Sequence, residues 1–450
     1  MTPRAREGTA AGRAARGARG AARPVALAAA VILLLAGCTT RDRSNPLDPR
    51  NSHTGGSIPG FNALAGDSVV ELRWVPLLQS GVQGYRIQRW RPGEPPRLLG
   101  SADYAPYVVV TEDRTVANDS TYVYRLIAHF TSGDSAVSPP DSATPGARRV
   151  VALAADVVSL AGFTPDLRDF LYTREGGISF EDMELDRRSA TLWVLADAVT
   201  GGVLRRFALN GVPLDEGALI PRATDVSVAG NRGIAWVALP DDGVVAGFAG
   251  SASGPIEVNR IQVPGHPGVV EAGTVDPSVW VGTQEGNVYR ADPNAPSDRM
   301  IVGAWSFGAP IGPIAMDEAV GAAWVIVKGD QEFHDLYRIT EADSTAVLVR
   351  SGLDNVVDLA TDPATGDLWV SERGVPREGT GALLRLTREG AEQSRLGSLE
   401  PYGLEVDLKD GSCWMAELRS NRILRVARNG VLLQVSRTLP IPFEVRVQVR

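Results

Sequence analysis

Cys413-Trp414-Met415-Ala416-Glu417-Leu418-Arg419-Ser420-Asn421-Arg422-Ile423-Leu424-Arg425-Val426 reads as two short strands joined by a polar turn. Leu368-Trp369-Val370-Ser371-Glu372, 45 residues earlier, opens in the same way and leads to Gly381-Ala382-Leu383-Leu384-Arg385-Leu386. Further back, tryptophans stand at 324, 280, 236 and 193, so the successive intervals from Trp193 are 43, 44, 44, 45 and 45 residues. Short apolar strands returning at a fixed period near 44 residues are the signature of a β-propeller, one four-stranded blade per period.

Each period has the same internal order. An inner strand ends in Asp186, Asp317, Asp362 or Asp407, always seven residues before its Trp. Asp closes a tight turn by bonding its own downstream backbone, so a hairpin is predicted there. The Trp-bearing strand is apolar on both faces (Leu192-Trp193-Val194, Ala235-Trp236-Val237, Val279-Trp280-Val281, Ala323-Trp324-Val325), as a sheet packed between neighbouring sheets requires. A third strand carries Arg205, Arg290, Arg338, Arg385 or Arg425, and a weaker polar fourth strand suits an exposed edge. Pro442-Phe443-Glu444-Val445-Arg446-Val447 repeats the inner-strand pattern of Pro401-Tyr402-Gly403-Leu404-Glu405-Val406 with no hairpin partner after it. Arg149-Val150-Val151-Ala152-Leu153, Val157 to Leu160 and Leu167 to Tyr172 supply three strands with no inner one. Joined, they make a seventh blade that closes the ring, with six blades the alternative. The predicted fold is all-β, a small sandwich followed by a seven-bladed propeller over 147–450.

LWVSERG…GALLRL (Leu368 to Leu386) and CWMAELRSNRILRV (Cys413 to Val426) resemble NHL-repeat and streptogramin-lyase-like propellers. In such proteins ligands sit over the central channel. Three residues beyond each Trp come Ala196, Leu239, Thr283, Val327, Glu372 and Glu417. The two acids belong to adjacent blades, and with Asn421 and Tyr402 they form a candidate ligand patch at the channel mouth. Pairing of both carboxylates with loop Arg residues is the competing expectation. No cofactor is implied beyond a divalent ion, Ca²⁺ or Mg²⁺, at such a patch. A lyase of the resembled kind would need a His base beside a Glu-held ion. The propeller offers His266 and His334, in different blades and outside any matching motif. Asp292, Asn294 and Asp298 miss the register of a Ca²⁺ loop. Cys413 falls in an apolar strand and reads as an inert small hydrophobe.

Residues 58–145 alternate apolar and polar side chains in short runs: Val69 to Trp74, Gly84 to Arg89 and Thr121 to Ala128. Trp74 in the second strand, Tyr85 in the third and Tyr122 in Ser120-Thr121-Tyr122 make this segment resemble a fibronectin type III domain, Tyr122 taking the tyrosine-corner place. The resemblance implies a spacer or protein-binding module with all three aromatics in its core.

Six Arg between Arg4 and Arg23 precede an apolar run from Val25 to Ala36, the n-region and h-region of a secretory signal. The run is shorter than the roughly 20 residues a membrane span needs. Leu35-Ala36-Gly37-Cys38 resembles the bacterial lipobox, which implies removal of 1–37 and acylation of Cys38. Thr39 beside it, where an Asp would retain a protein at the inner membrane, suits export to the outer membrane. Residues 38–57 are polar and rich in Pro and Gly, as a flexible tether would be. The chain carries 45 basic and 53 acidic side chains; without 1–37 the balance is 39 against 52, or −13. That charge disfavours nucleic acid as a partner. The expected protein is a cell-envelope lipoprotein that binds a protein or glycan through its propeller. A metal-assisted lyase or lactonase and a structural part of an envelope assembly are the alternatives.

Overall fold

The computed structural model describes residues 47–50, 56–58, 60–66, 68–77, 81–146, 148–154, 159–164, 167, 170–175, 179–198, 201–230, 232–329, 332–340 and 345–449. The expected signal segment, Cys38 and most of the expected tether lie outside these residues. Ile58–Arg450 is one compact unit and Met1–Ser57 another.

Seven four-stranded antiparallel sheets follow one another along the chain, and the fold is the expected sandwich and propeller. Blades 1 to 6 open with the inner strands Ser179–Asp186, Asp225–Ala229, Pro267–Ala272, Ile311–Asp317, Val356–Thr361 and Pro401–Val406. Each pairs in turn with the Trp-bearing strand, a third strand and an outer strand. Blade 7 takes its inner strand, Pro442–Val449, from one end of the sequence and its other three, Arg148–Ala154, Ser159–Phe163 and Phe170–Glu175, from the other. Val447 lies opposite Val150 and Val445 opposite Ala152, which closes the ring by hydrogen bonds between distant segments. The third and fourth strands read from the sequence, Val157 to Leu160 and Leu167 to Tyr172, overlap the observed Ser159–Phe163 and Phe170–Glu175.

All six repeating tryptophans are at most 1% exposed. Each indole packs against its neighbours' aliphatic side chains, as Trp193 does among Val226, Val228 and Ala235 of blade 2. Burying an aromatic ring of this size at six of the seven junctions supplies a large apolar driving force between blades. The turn after the inner strand forms as the Asp rule predicts in three of four cases. Asp186 accepts bonds from the Arg188 and Ser189 amides (3.0 and 3.2 Å), Asp362 from Ala364 (3.0 Å) and Asp407 from Lys409 (3.0 Å). Asp317 is the exception: a 3₁₀ turn, Glu318–Val320, follows it, and its carboxylate accepts two bonds from Arg388 of blade 5 (2.6 and 3.1 Å).

The third-strand Arg stands directly across from the Trp at Arg290, Arg338, Arg385 and Arg425. In blade 1 the pairing falls on Arg206, not Arg205, and Arg206 lies 5.6 Å over the Trp193 ring. Blade 2 has Gly247 there. A Cβ on it would come within 3.0 Å of the Trp236 ring, so only glycine leaves the indole its place.

Residues 62–143 form two facing sheets, one ordered Asn62–Ala65, Val70–Arg73, Val110–Asp113, the other Arg97–Leu98, Val82–Trp90, Tyr122–Phe130, Ser135–Val137. Trp74 and Tyr85 meet edge-on at 5.6 Å in the core. The Tyr122 hydroxyl accepts the Ala117 amide at 3.0 Å, the back-bond a tyrosine corner makes. The sandwich is bonded to blade 6. Leu64 packs on Ala427 and Leu433, Asp410 accepts the Ala65 amide (3.3 Å), and Arg73 donates to the Leu433 carbonyl (2.8 Å).

Candidate functional site

The inner-strand residue opposite each Trp borders the central cavity: Glu184, Ser227, Glu271, Ala315, Ala360 and Glu405, with Arg446 opposite Val151 in blade 7. Two residues earlier on the same face stand Asp182, Asp225, Val269, Pro313, Asp358, Gly403 and Glu444. Apart from Gly403, these two layers line a channel cavity of about 800 Å³ that also reaches Tyr402, Arg187 and Lys328. With Glu181 and Glu318, nine carboxylates thus meet two guanidinium groups and the Lys328 ammonium in one cavity.

The upper layer fastens blade to blade. Asp182 accepts the Val226 amide (2.8 Å), Asp225 the Val270 amide (2.6 Å) and Asp358 the Leu404 amide (2.7 Å), each in the next blade. Glycine is required at 403, where a Cβ would lie 2.6 Å from the Phe443 carbonyl and 2.8 Å from the Glu444 carboxylate. In the lower layer Arg446 donates to Glu184 (3.0 Å) and Glu444 (2.7 Å) and lies 3.9 Å from Glu405, which Arg187 also binds.

Arg187, Lys328 and Arg446 do not neutralise nine acids, and burial raises the cost of each uncompensated charge. Burial pushes Glu271 up to about 8, with the Glu184 charge adding to the effect. Burial, with Arg446 opposing, leaves Asp358 at about 6. Burial and then the adjacent Asp182 carboxylate push Asp225 well above the usual range. Glu444 is raised by burial even beside Arg446. Burial disfavours the Arg446 cation, but Glu184, Glu444, Asp182 and Asp358 outweigh it and hold the guanidinium firmly protonated. At neutral pH the channel therefore stores protons that an incoming cation would displace.

The residues named from sequence fall elsewhere, with one exception. Tyr402 lines the channel, with Arg373 5.6 Å above its ring. Glu372 is buried and satisfied, accepting from Arg395 (2.9 Å) and the Asp354 amide (3.2 Å). Glu417 is 2% exposed and accepts the Glu400 and Ser420 amides (2.9 and 2.6 Å). Asn421 turns the chain at a φ of 55°, and its carbonyl accepts the Leu439 amide. The buried His334 accepts the Val356 amide through Nδ1 (3.0 Å), and burial lowers its pKa. His266 pairs on the surface with Glu285, whose carboxyl this bond holds down at about 2. Asn294 accepts from Arg232 (2.6 Å) and Asp292 from the Asn294 amide (2.9 Å), while Asp298 is an exposed partner of Arg299 (3.8 Å). Cys413 is fully buried, and burial pushes its thiol up. Among the described residues no three His, Cys, Asp or Glu side chains are arranged to hold a metal ion. The positions three residues after each Trp lie at the end of a buried strand and do not reach the channel acids. The usable signal lay nine and eleven residues before it, where acids interrupt apolar inner strands.

No protein-family model and no curated protein matches the chain. Solved structures do resemble it. A functionally unknown protein from Desulfotomaculum acetoxidans is 11% identical at a TM-score of 0.51, over 67% of this chain and 99% of that one. A candidate 6-phosphogluconolactonase from Bacteroides fragilis is also 11% identical at 0.51, over 67% and 97%. The WD40 β-propeller domain of Doa1 is 12% identical at 0.45, over 65% and 89%. The first two likenesses show a shared fold, and a propeller fold supports a binding or scaffold module.

Proposed function

We propose that this protein is a lipid-anchored envelope component whose propeller binds a cationic segment of a partner protein in its central channel. The observation that carries the reading is the excess of carboxylates in one 800 Å³ cavity, with Glu271 raised to about 8. A Lys or Arg side chain entering there gains charge complementarity that water cannot match. The signal-like segment, the lipobox resemblance at Cys38 and the fibronectin-like sandwich support an anchored module with its spacer.

Cation entry lowers the pKa of Glu271, so binding at pH 7 releases a proton. Titration calorimetry with an oligo-arginine peptide, in two buffers of different ionisation heat, reads this directly. Saturable binding with proton release is expected, and Glu271→Gln should bind with the release removed. No binding at low salt, or binding with no proton release from the unaltered protein, would overturn the reading. A rise in melting temperature with Mg²⁺ or Ca²⁺ alone would favour a metal-assisted lyase or lactonase instead.

A further inference from the structure

The charges of the channel are not spread evenly round its wall. Blades 7 and 1 bring Glu444, Arg446, Asp182 and Glu184 to it. Blade 4 brings Ile311, Pro313, Ala315 and Met316. Val269 of blade 3 and Ala360 of blade 5 widen this apolar strip, and Glu271 and Asp358 of the same two blades border it. At blade 4 the lining charges stand at the ends of the strip. Lys328 lies beside the start of the inner strand, its amide on the Pro310 carbonyl (2.8 Å). Glu318 lies just past the strand's end and already accepts the Thr274 hydroxyl (2.7 Å) and the Val275 amide (3.1 Å). Successive inner strands pack side by side and the seventh also meets the first. A ring of seven therefore sets blade 4 across the channel from the junction of blades 7 and 1, apolar wall against acidic wall.

We propose that the partner segment taken into the channel is extended and two-faced, with cationic side chains at every second position and aliphatic ones between them. The inference rests on the cation-binding reading of the channel and adds the pattern of the segment. In an extended chain successive side chains point to opposite sides. Alternate residues then meet the carboxylates of blades 7 and 1, while those between them displace water from Pro313, Ala315 and Val269. A uniformly cationic segment would press half its charges against a wall with no carboxylate to receive them, and their desolvation would cost affinity. Thr361 of blade 5 supplies a further observation. It lines the cavity with its hydroxyl oxygen buried and, among the described residues, without a hydrogen-bond partner. An extended segment carries unpaired backbone amides and carbonyls, and this hydroxyl suits either.

The test is calorimetric titration of the full chain at constant ionic strength with three end-blocked hexapeptides of equal charge: alternating Lys-Val, alternating Lys-Ser, and a block of Lys followed by a block of Val. The alternating Lys-Val peptide should bind about tenfold more tightly than the Lys-Ser peptide, and more tightly than the block peptide. Val269→Ser combined with Ala360→Ser should cut the preference for valine about threefold or more and leave the Lys-Ser affinity unchanged. Equal binding of the Lys-Val and Lys-Ser peptides, or of the alternating and block peptides, would refute the two-faced segment and leave the cation-binding reading standing. A folded double variant that keeps the full preference for valine would refute it too. Binding of none of the three would overturn the cation-binding reading and this inference with it.

Discussion

Glu271 shows how one residue couples the channel to stability. Its carboxyl ionises near pH 8 in the folded protein against an ordinary 4.5. Between those values the folded state holds a proton that the unfolded chain has lost, so stability falls as pH rises. Asp358 and Asp141, both raised to about 6 by burial, add to the lower part of this window. Glu285, held at about 2, has the opposite sign but acts only below it. Thermal melts should therefore show a midpoint several degrees lower at pH 8.5 than at pH 5.5. Glu271→Gln should flatten that slope, and a midpoint that rises with pH would contradict the buried acids. Asp410 carries a different load. It holds Arg425, which is 2% exposed and 4.8 Å over Trp414, and also the Ala65 amide. Asp410→Ala leaves a buried guanidinium short of its partner, and a loss of about 3 kcal/mol is expected in denaturant unfolding. The stacking of Arg on Trp was half legible, since an Arg recurs in the third strand of five blades. Their opposition to the indole depends on hairpin lengths that sequence does not fix, which is why Arg205 was named where Arg206 stacks.

Among the elements, Pro442–Val449 matters most, because its pairing with Arg148–Ala154 joins the two ends of the ring. Val445 and Val447 are fully buried, and Arg446 anchors Glu184 of blade 1. Removing residues 440–450 exposes the edge of blade 7 and strips Arg446 from the channel acids. Loss of the cooperative melting transition and rapid proteolysis are expected, and a truncated protein that melts as before would refute ring closure. Trp324→Ala makes the complementary test at a blade junction. Deleting a fully buried indole should cost about 4 kcal/mol by chemical denaturation. The blades were legible because a repeated structural unit must bury the same kind of side chain at the same place. The channel layers were not, because their acids do not repeat from blade to blade: Ala315 and Ala360 stand where Glu184, Glu271 and Glu405 stand in other blades.

For the whole molecule, the sandwich and propeller share an apolar contact (Leu64 with Ala427 and Leu433) and bonds from Asp410 and Arg73. Calorimetry of the full chain should show the two unfolding together, and removal of 58–146 should lower the propeller's midpoint. Two separate transitions would mean that these contacts are too weak to couple them. Period, strand order, ring closure and the all-β class were determined by sequence, because each follows from local patterns copied along the chain. The acidic channel and the engaged state of Glu372 and Glu417 were decided by tertiary structure alone. Electrostatic character depends on which charges come within a few ångströms after closure, and residues more than 200 apart in sequence, such as Arg187 and Glu405, become neighbours only then.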